Sequence, residues 1–175
     1  FPTRRSSDLL KTMKEISHGP FIWTPSGLRI GQGLIKTNFT LHQLDGMFAK
    51  LFANQAQKPV LNNTIFITLF GKIISEVNIP AFDLEQDQLK VQWKGLKGET
   101  EFENNFKHLR AQINFLGMNL IMQGNRNFSL DKINLDYDLQ QHDAAVWFGD
   151  VKMMIPGLTL KDANNTLFSL VNAKT

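Results

Sequence analysis

The sequence predicts a mainly β protein: a long, curved antiparallel sheet in meander order with one amphipathic helix packed on it, belonging to a larger protein. Three observations carry this reading. Runs alternating apolar and polar residues recur along most of the chain. Short turns rich in Gly, Asn and Asp separate them, the spacing of hairpins. One stretch alone, Leu44 to Gln55, changes to helical spacing.

The longest alternation runs from Asn62 to Pro80 and reads as one long central strand. Ile65, Ile67, Leu69, Gly71 and Ile73 fall on one face, uniformly apolar apart from the glycine, and Phe66, Phe70, Lys72 and Ile74 fall on the other. The first face reads as the core side and the mixed second face as the partly covered side. Gly71 marks a bend or a close backbone approach.

Taken in chain order, Phe1 to Leu9 is the in-frame translation of TTC CCT ACA CGA CGC TCT TCC GAT CT, the end of a widely used sequencing adapter. Residues 1–9 are therefore read as an artefact, and residues 10–175 as a partial β-rich domain. Lys11 to His18 suits a short strand, which His18-Gly19-Pro20 breaks. After Pro25-Ser26-Gly27, Leu28, Ile30, Gln32 and Leu34 alternate, and the apolar phase then shifts to Ile35, Thr37, Phe39 and Leu41. A slip beside Gly31 and Gly33 predicts a bulge within one strand, 28–41. Gly31-Gln32-Gly33 lacks the third glycine and the lysine of a phosphate loop.

In the helical stretch Leu44, Met47, Phe48, Leu51 and Phe52 repeat at three and four, with Asp45 as cap and Lys58-Pro59 as stop. Beyond residue 80 the alternation resumes in Leu89 to Trp93, Leu109 to Phe115, Met118 to Met122, Phe128 to Leu139 and Ala144 to Ile155. Gly95 and Gly98 bracket a turn or bulge, the phase slips at Leu116-Gly117 and resumes, and a bulge is expected near Asp131-Lys132. Leu158 to Asn172 fits strand or helix.

Composition excludes several functions. Without residues 1–9 the charges are 17 basic against 15 acidic, spread along the chain, so no basic face for nucleic acid is expected. The absence of cysteine removes disulfides, thiolate metal sites and cysteine nucleophiles. No apolar run is long enough for a spanning helix. His18, His42, His108 and His142 never fall at metal-ligand spacing, and Asp136 and Asp138 share a solvated strand face, so no metal and no cofactor are expected. No Gly-x-Ser-x-Gly elbow occurs and no catalytic residue is assigned.

Two segments carry a family resemblance. Glu15-Ile16-Ser17-His18-Gly19-Pro20-Phe21, followed by the 28–41 strand, resembles the His-Gly-Pro segment near the start of the bacterial YdgA-like family, Gram-negative envelope proteins with a domain of unknown function. Ala145-Val146-Trp147-Phe148-Gly149 resembles that family's apolar Trp-x-Gly segment. The resemblance covers most of residues 10–175. It implies a periplasmic protein held to the inner membrane by a segment lying before these residues, and it carries over no catalytic residue. The expected function is non-enzymatic, a scaffold or a binder of a lipid-like or protein partner, with an oligomeric state the residues leave open. The surface expected to bind is the second face of the central strand, Phe66, Phe70 and Ile74, together with the helical stripe Met47, Phe48, Leu51 and Phe52. An enzyme with its reactive groups outside these residues is the alternative.

Overall fold

A computed structural model describes residues 10–24, 27–41, 59–86, 88–103, 105–122, 126–143, 146–162 and 165–174. They form fourteen strands: β1 (Leu10–His18), β2 (Phe21–Thr24), β3 (Gly27–Leu41), β4 (Val60–Thr68), β5 (Ile73–Ile79), β6 (Phe82–Gln86), β7 (Leu89–Trp93), β8 (Leu96–Glu103), β9 (His108–Phe115), β10 (Met118–Met122), β11 (Arg126–Leu130), β12 (Ile133–Asp143), β13 (Val146–Asp162) and β14 (Asn165–Lys174). All pair antiparallel. The order β1-β3-β4-β5-β8-β9-β12-β13-β11-β10-β7-β6 has β14 added on β13 and β2 on β3.

Register reduces this order to something simpler. Ile73 pairs with Phe102 in β5 and β8, and Phe82 with Trp93 in β6 and β7, with no residue gained or lost between. The same continuity joins β8–β9 to β7–β10 and β9–β12 to β10–β11, and β13 continues from β12 to β11 in one register. The strands from residue 73 onward are therefore long hairpin arms crossed by one line. That line passes through Pro80-Ala81, Lys94-Gly95, Leu116-Gly117, Asp131-Lys132 and Pro156-Gly157. Hydrogen bonds stitch it: the Leu116 N–H donates to the Gly95 carbonyl at 2.8 Å, Lys94 N–H to Gly117 at 2.9 Å and Asp131 N–H to Gly157 at 2.9 Å.

This line is a crease. Trp93 and Leu96, Phe115 and Met118, and Leu130 and Ile133 each lie three positions apart, which in an unbroken strand would send them to opposite faces. The interrupting pairs keep them on one side, and the Trp93 ring lies 4.9 Å from that of Phe115 across the crease. The conformation needs glycine. Gly95 has φ 117° and Gly117 φ 114°, and a Cβ on Gly117 would stand 2.9 Å from the Leu130 carbonyl oxygen. Gly117→Ala is expected to cost about 1 to 3 kcal/mol, combining a left-handed backbone with a backbone clash. A urea midpoint equal to that of the parent protein would refute the crease as drawn.

Several expectations hold and several are corrected. The antiparallel sheet stands, and the 28–41 strand is β3, with a register shift between Gly31 and Gly33. The mixed fold class does not stand: the described residues are all β with no helix, and the expected helix over 44–55 lies outside them. The physical reason is that every described apolar stretch repeats at two, so that each strand's backbone groups find partners in the neighbouring strand. The central strand 62–80 is also corrected, to a hairpin of β4 and β5. Gly71, at φ 79°, lets Leu69 to Lys72 turn, and the Gly71 and Thr68 N–H groups donate to the Thr68 and Lys72 carbonyls. Within the ambiguous stretch at the end, residues 158–162 and 165–172 are strand.

Candidate apolar binding face

Directly opposed residues of an antiparallel pair share a face, so the register sorts every side chain. One face reads, row by row, Ile67-Ile73-Phe102-Leu109-Leu139, then Ile65-Ser75-Thr100-Ala111-Tyr137-Val151, then Ile79-Leu96-Phe115-Ile133. Beyond the crease it continues as Phe82-Trp93-Met118-Leu130-Leu158-Leu170 and Leu84-Val91-Leu120-Phe128-Leu160-Phe168. Both halves are apolar. The face crosses six strands from β6 to β14, about 24 Å at the usual strand spacing.

This face is not covered by a second layer among the described residues. Ala111, Ile113 and Leu135 sit at the middle of the sheet, where a packed layer would bury them, yet each stays partly exposed. Of the buried hydrophobics of the described residues, Ile22, Leu34, Phe66 and Leu84, only Leu84, on the outer strand β6, belongs to this face. Contiguous apolar surface on this scale makes the face the candidate site.

The opposite face is charged. The Lys72 ammonium lies 2.7 Å from Glu101 and 3.0 Å from Glu103. His108, buried, has Nε2 2.7 Å from Asp138 and Nδ1 3.7 Å from Glu103, while Arg110 stands 3.4 Å from Asp138. Both ring nitrogens therefore face carboxylates. No serine or threonine hydroxyl bonds to His108 among the described residues. The depressions on this side are shallow, the larger about 350 Å³, lined by Glu76, Asn78, Lys97, Glu99, Gln112 and Asn114 among others. The arrangement ties β8, β9 and β12 to the β4–β5 turn and assembles no nucleophile.

The same network sets a pH window. The hydrogen bond from Lys72 holds the Glu103 carboxyl below its ordinary range, and His108 does the same for Asp138. Glu101 raises the Lys72 ammonium above its ordinary value. A depressed carboxylate contributes stability that is present above its unfolded pKa and is lost as pH falls through the folded one. A raised ammonium contributes stability that is present below its unfolded pKa and is lost as pH rises through the folded one. Stability from these groups should therefore hold between about pH 5 and 10, falling below about pH 4 and above about pH 10.5. Thermal melts across that range check it, and Lys72→Met should flatten the alkaline limb.

The residues expected to bind are placed differently. Phe66, 4% exposed, and Leu34, 1%, close with Ile22 into a buried cluster, with Ile74 packed against it. The Arg29 guanidinium lies 5.6 Å from the Phe66 ring centre and 3.6 Å from Glu76. The β2 end of the first hairpin thus seals the part of the second face that Phe66 and Ile74 occupy. Phe70 is 98% exposed at the tip of the β4–β5 turn, apart from Phe66 and Ile74. Met47, Phe48, Leu51 and Phe52 lie outside the described residues. The open face is the first one, that of Ile65, Ile67 and Ile73. The signal that finds it is the series of phase slips, read together as one crease. Asp136 and Asp138 bond to Gln112 and His108, and His142 stands edge-on to Phe148 at 6.0 Å. No group of three His, Asp or Glu is set to hold a metal among the described residues.

The fold and its two faces define the class: an antiparallel single-sheet β protein, apolar on one side and charged on the other. The chain belongs to the family described as Bacterial protein of unknown function (DUF945), whose model matches residues 9–175. No curated protein and no solved structure matches it.

Proposed function

We propose that this bacterial protein binds the hydrocarbon chains of a lipid along its apolar face and performs no chemistry there. The observation that supports this most is the continuity of that face through the crease, where Phe82, Trp93, Met118, Leu130, Leu158 and Leu170 line one row. The row's length of about 24 Å exceeds the roughly 15 Å that an acyl chain occupies in one leaflet of a bilayer. Backbone groups along the face are engaged in the sheet, so an occupant that asks for no hydrogen bonds suits it better than a peptide, which must bury its own backbone. The resemblance to YdgA-like proteins supports a periplasmic setting with an inner-membrane anchor, where such lipids abound. The enzyme alternative has one foothold, the His108–Asp138 pair, and the carboxylates on both sides of that ring favour a clamp instead.

Titration with a naturally fluorescent polyene fatty acid tests the proposal. Saturable binding near one or two chains per protein, displaced by unlabelled palmitate, is the expected result. Emission that rises linearly without saturation would overturn it.

A further inference from the structure

β2 and the start of β3 form a short hairpin whose two faces are used differently. Phe21 opposes Ile30 and Trp23 opposes Leu28, so these four side chains share one face, while Ile22 and Arg29 oppose each other on the second. The second face closes on the sheet, where Ile22 joins Leu34 and Phe66, and Arg29 stands over the Phe66 ring. The first faces outward: Phe21 is 67% exposed, Trp23 74%, and Leu28 and Ile30 more than half. The β4–β5 turn lies at the same end. Gly31 pairs with Thr68, and the Gln32 side-chain amide donates to the Leu69 carbonyl at 3.0 Å, which brings exposed Leu69 and Phe70 beside the root of the hairpin. β3 and β4 are joined at their far ends, where Thr40 pairs with Val60, about 30 Å along the strands from Ile30. Single exposed apolar side chains are ordinary, but a group of them at one end of a sheet is an interaction patch.

We infer that this end of the sheet docks the protein on the surface of a lipid bilayer, with Phe21, Trp23, Leu28, Ile30 and Phe70 entering the boundary between headgroups and acyl chains. Three features suit a bilayer better than a protein partner. The patch consists of two separate projections, the hairpin and the β4–β5 tip, and a fluid boundary receives both without a shaped pocket for each. Tryptophan, phenylalanine and leucine are the side chains that favour that depth, the indole keeping its N–H within reach of headgroups. No carboxylate occurs in Phe21–Gln32 or Leu69–Lys72, whose charged residues are Arg29 and Lys72, so anionic headgroups meet no like charge on either projection. The acidic partners of those two cations, Glu76 for Arg29 and Glu101 and Glu103 for Lys72, stand behind them on β5 and β8. The patch is separate from the open apolar face of the sheet and does not depend on acyl chains being held there.

The test floats the full chain on a sucrose gradient with vesicles of phosphatidylethanolamine and phosphatidylglycerol. The parent protein is expected to float with the vesicles. Phe21→Ser/Trp23→Ser should bind them at least about tenfold more weakly, with an unchanged melting temperature, because both side chains face outward. Leu167→Ser/Phe168→Ser removes exposed apolar side chains of β14, far from the hairpin in the strand order, and should float as the parent does. A parent protein that stays at the bottom, equal flotation of Phe21→Ser/Trp23→Ser, or an equal loss in Leu167→Ser/Phe168→Ser would overturn the inference. So would dimerisation of the parent protein without vesicles that Phe21→Ser/Trp23→Ser abolishes, since the occupant would then be a second copy.

Discussion

Phe66→Ala is expected to be among the most damaging single truncations in the chain, costing about 3 to 5 kcal/mol. The described residues contain little closed core. Ile22, Leu34 and Phe66 form one buried cluster, and Phe66 is its aromatic centre, with the Arg29 guanidinium over its ring. Removing the ring leaves a cavity between the sheet and the β2 end of the first hairpin. It also strips Arg29 of its ring contact, leaving the ion pair with Glu76 at 3.6 Å. Urea denaturation followed by tryptophan fluorescence measures the loss, and Trp23 on β2 reports the hairpin directly. A change below about 1 kcal/mol, within the range of ordinary surface substitutions, would mean that the hairpin does not close over Phe66.

Ile113→Glu is expected to leave the fold nearly intact and to weaken lipid binding by at least about tenfold, or about 1.4 kcal/mol. Ile113 lies opposite Leu135 and Gly98 at the middle of the apolar face and is partly exposed. In the free protein a carboxylate there keeps its water, so folding is little affected. With an acyl chain laid over it the charge must be desolvated without a partner, which binding cannot afford. The two readings of the face separate at this residue: a covered core residue would unfold on gaining a charge, whereas an open binding residue would lose its ligand. Parallel thermal melts and fatty-acid titrations of the variant distinguish them.

Much of the sheet was legible in the sequence because a half-covered strand writes its pleat as period two. The β3 bulge could be read from a phase change beside Gly31 and Gly33, and the slip at Leu116-Gly117 could be read in the same way. What no single strand announces is that slips at Gly95, Leu116-Gly117 and Asp131-Lys132 stand side by side. That alignment belongs to the pairing register, which is set between strands. The β4–β5 turn was hidden because Leu69 and Phe70 keep the alternation going while the chain reverses. Only the left-handed backbone at Gly71 breaks the run, and a glycine within a strand has several uses. The same ambiguity exchanged the two faces of the central strand. Phe66 and Ile74 are closed by Ile22, a residue more than forty positions earlier than Phe66, and no local pattern reports a contact of that range. The charged network was equally non-local, bringing Lys72 of the β4–β5 turn and Asp138 of β12 to Glu103 and His108, which face each other in the β8–β9 hairpin.

The most direct test of the lipid-binding proposal is the lipid content of the protein itself. Material expressed with an export signal, purified from bacterial periplasm without detergent, would be extracted with chloroform and methanol and its acyl chains quantified by mass spectrometry against protein concentration. The account predicts acyl chains at near-stoichiometric amounts in the parent protein and their loss in a folded Ile113→Glu variant. A monomeric, folded parent protein carrying no acyl chains, with Ile113→Glu unfolded, would contradict it and make the apolar face part of an ordinary core.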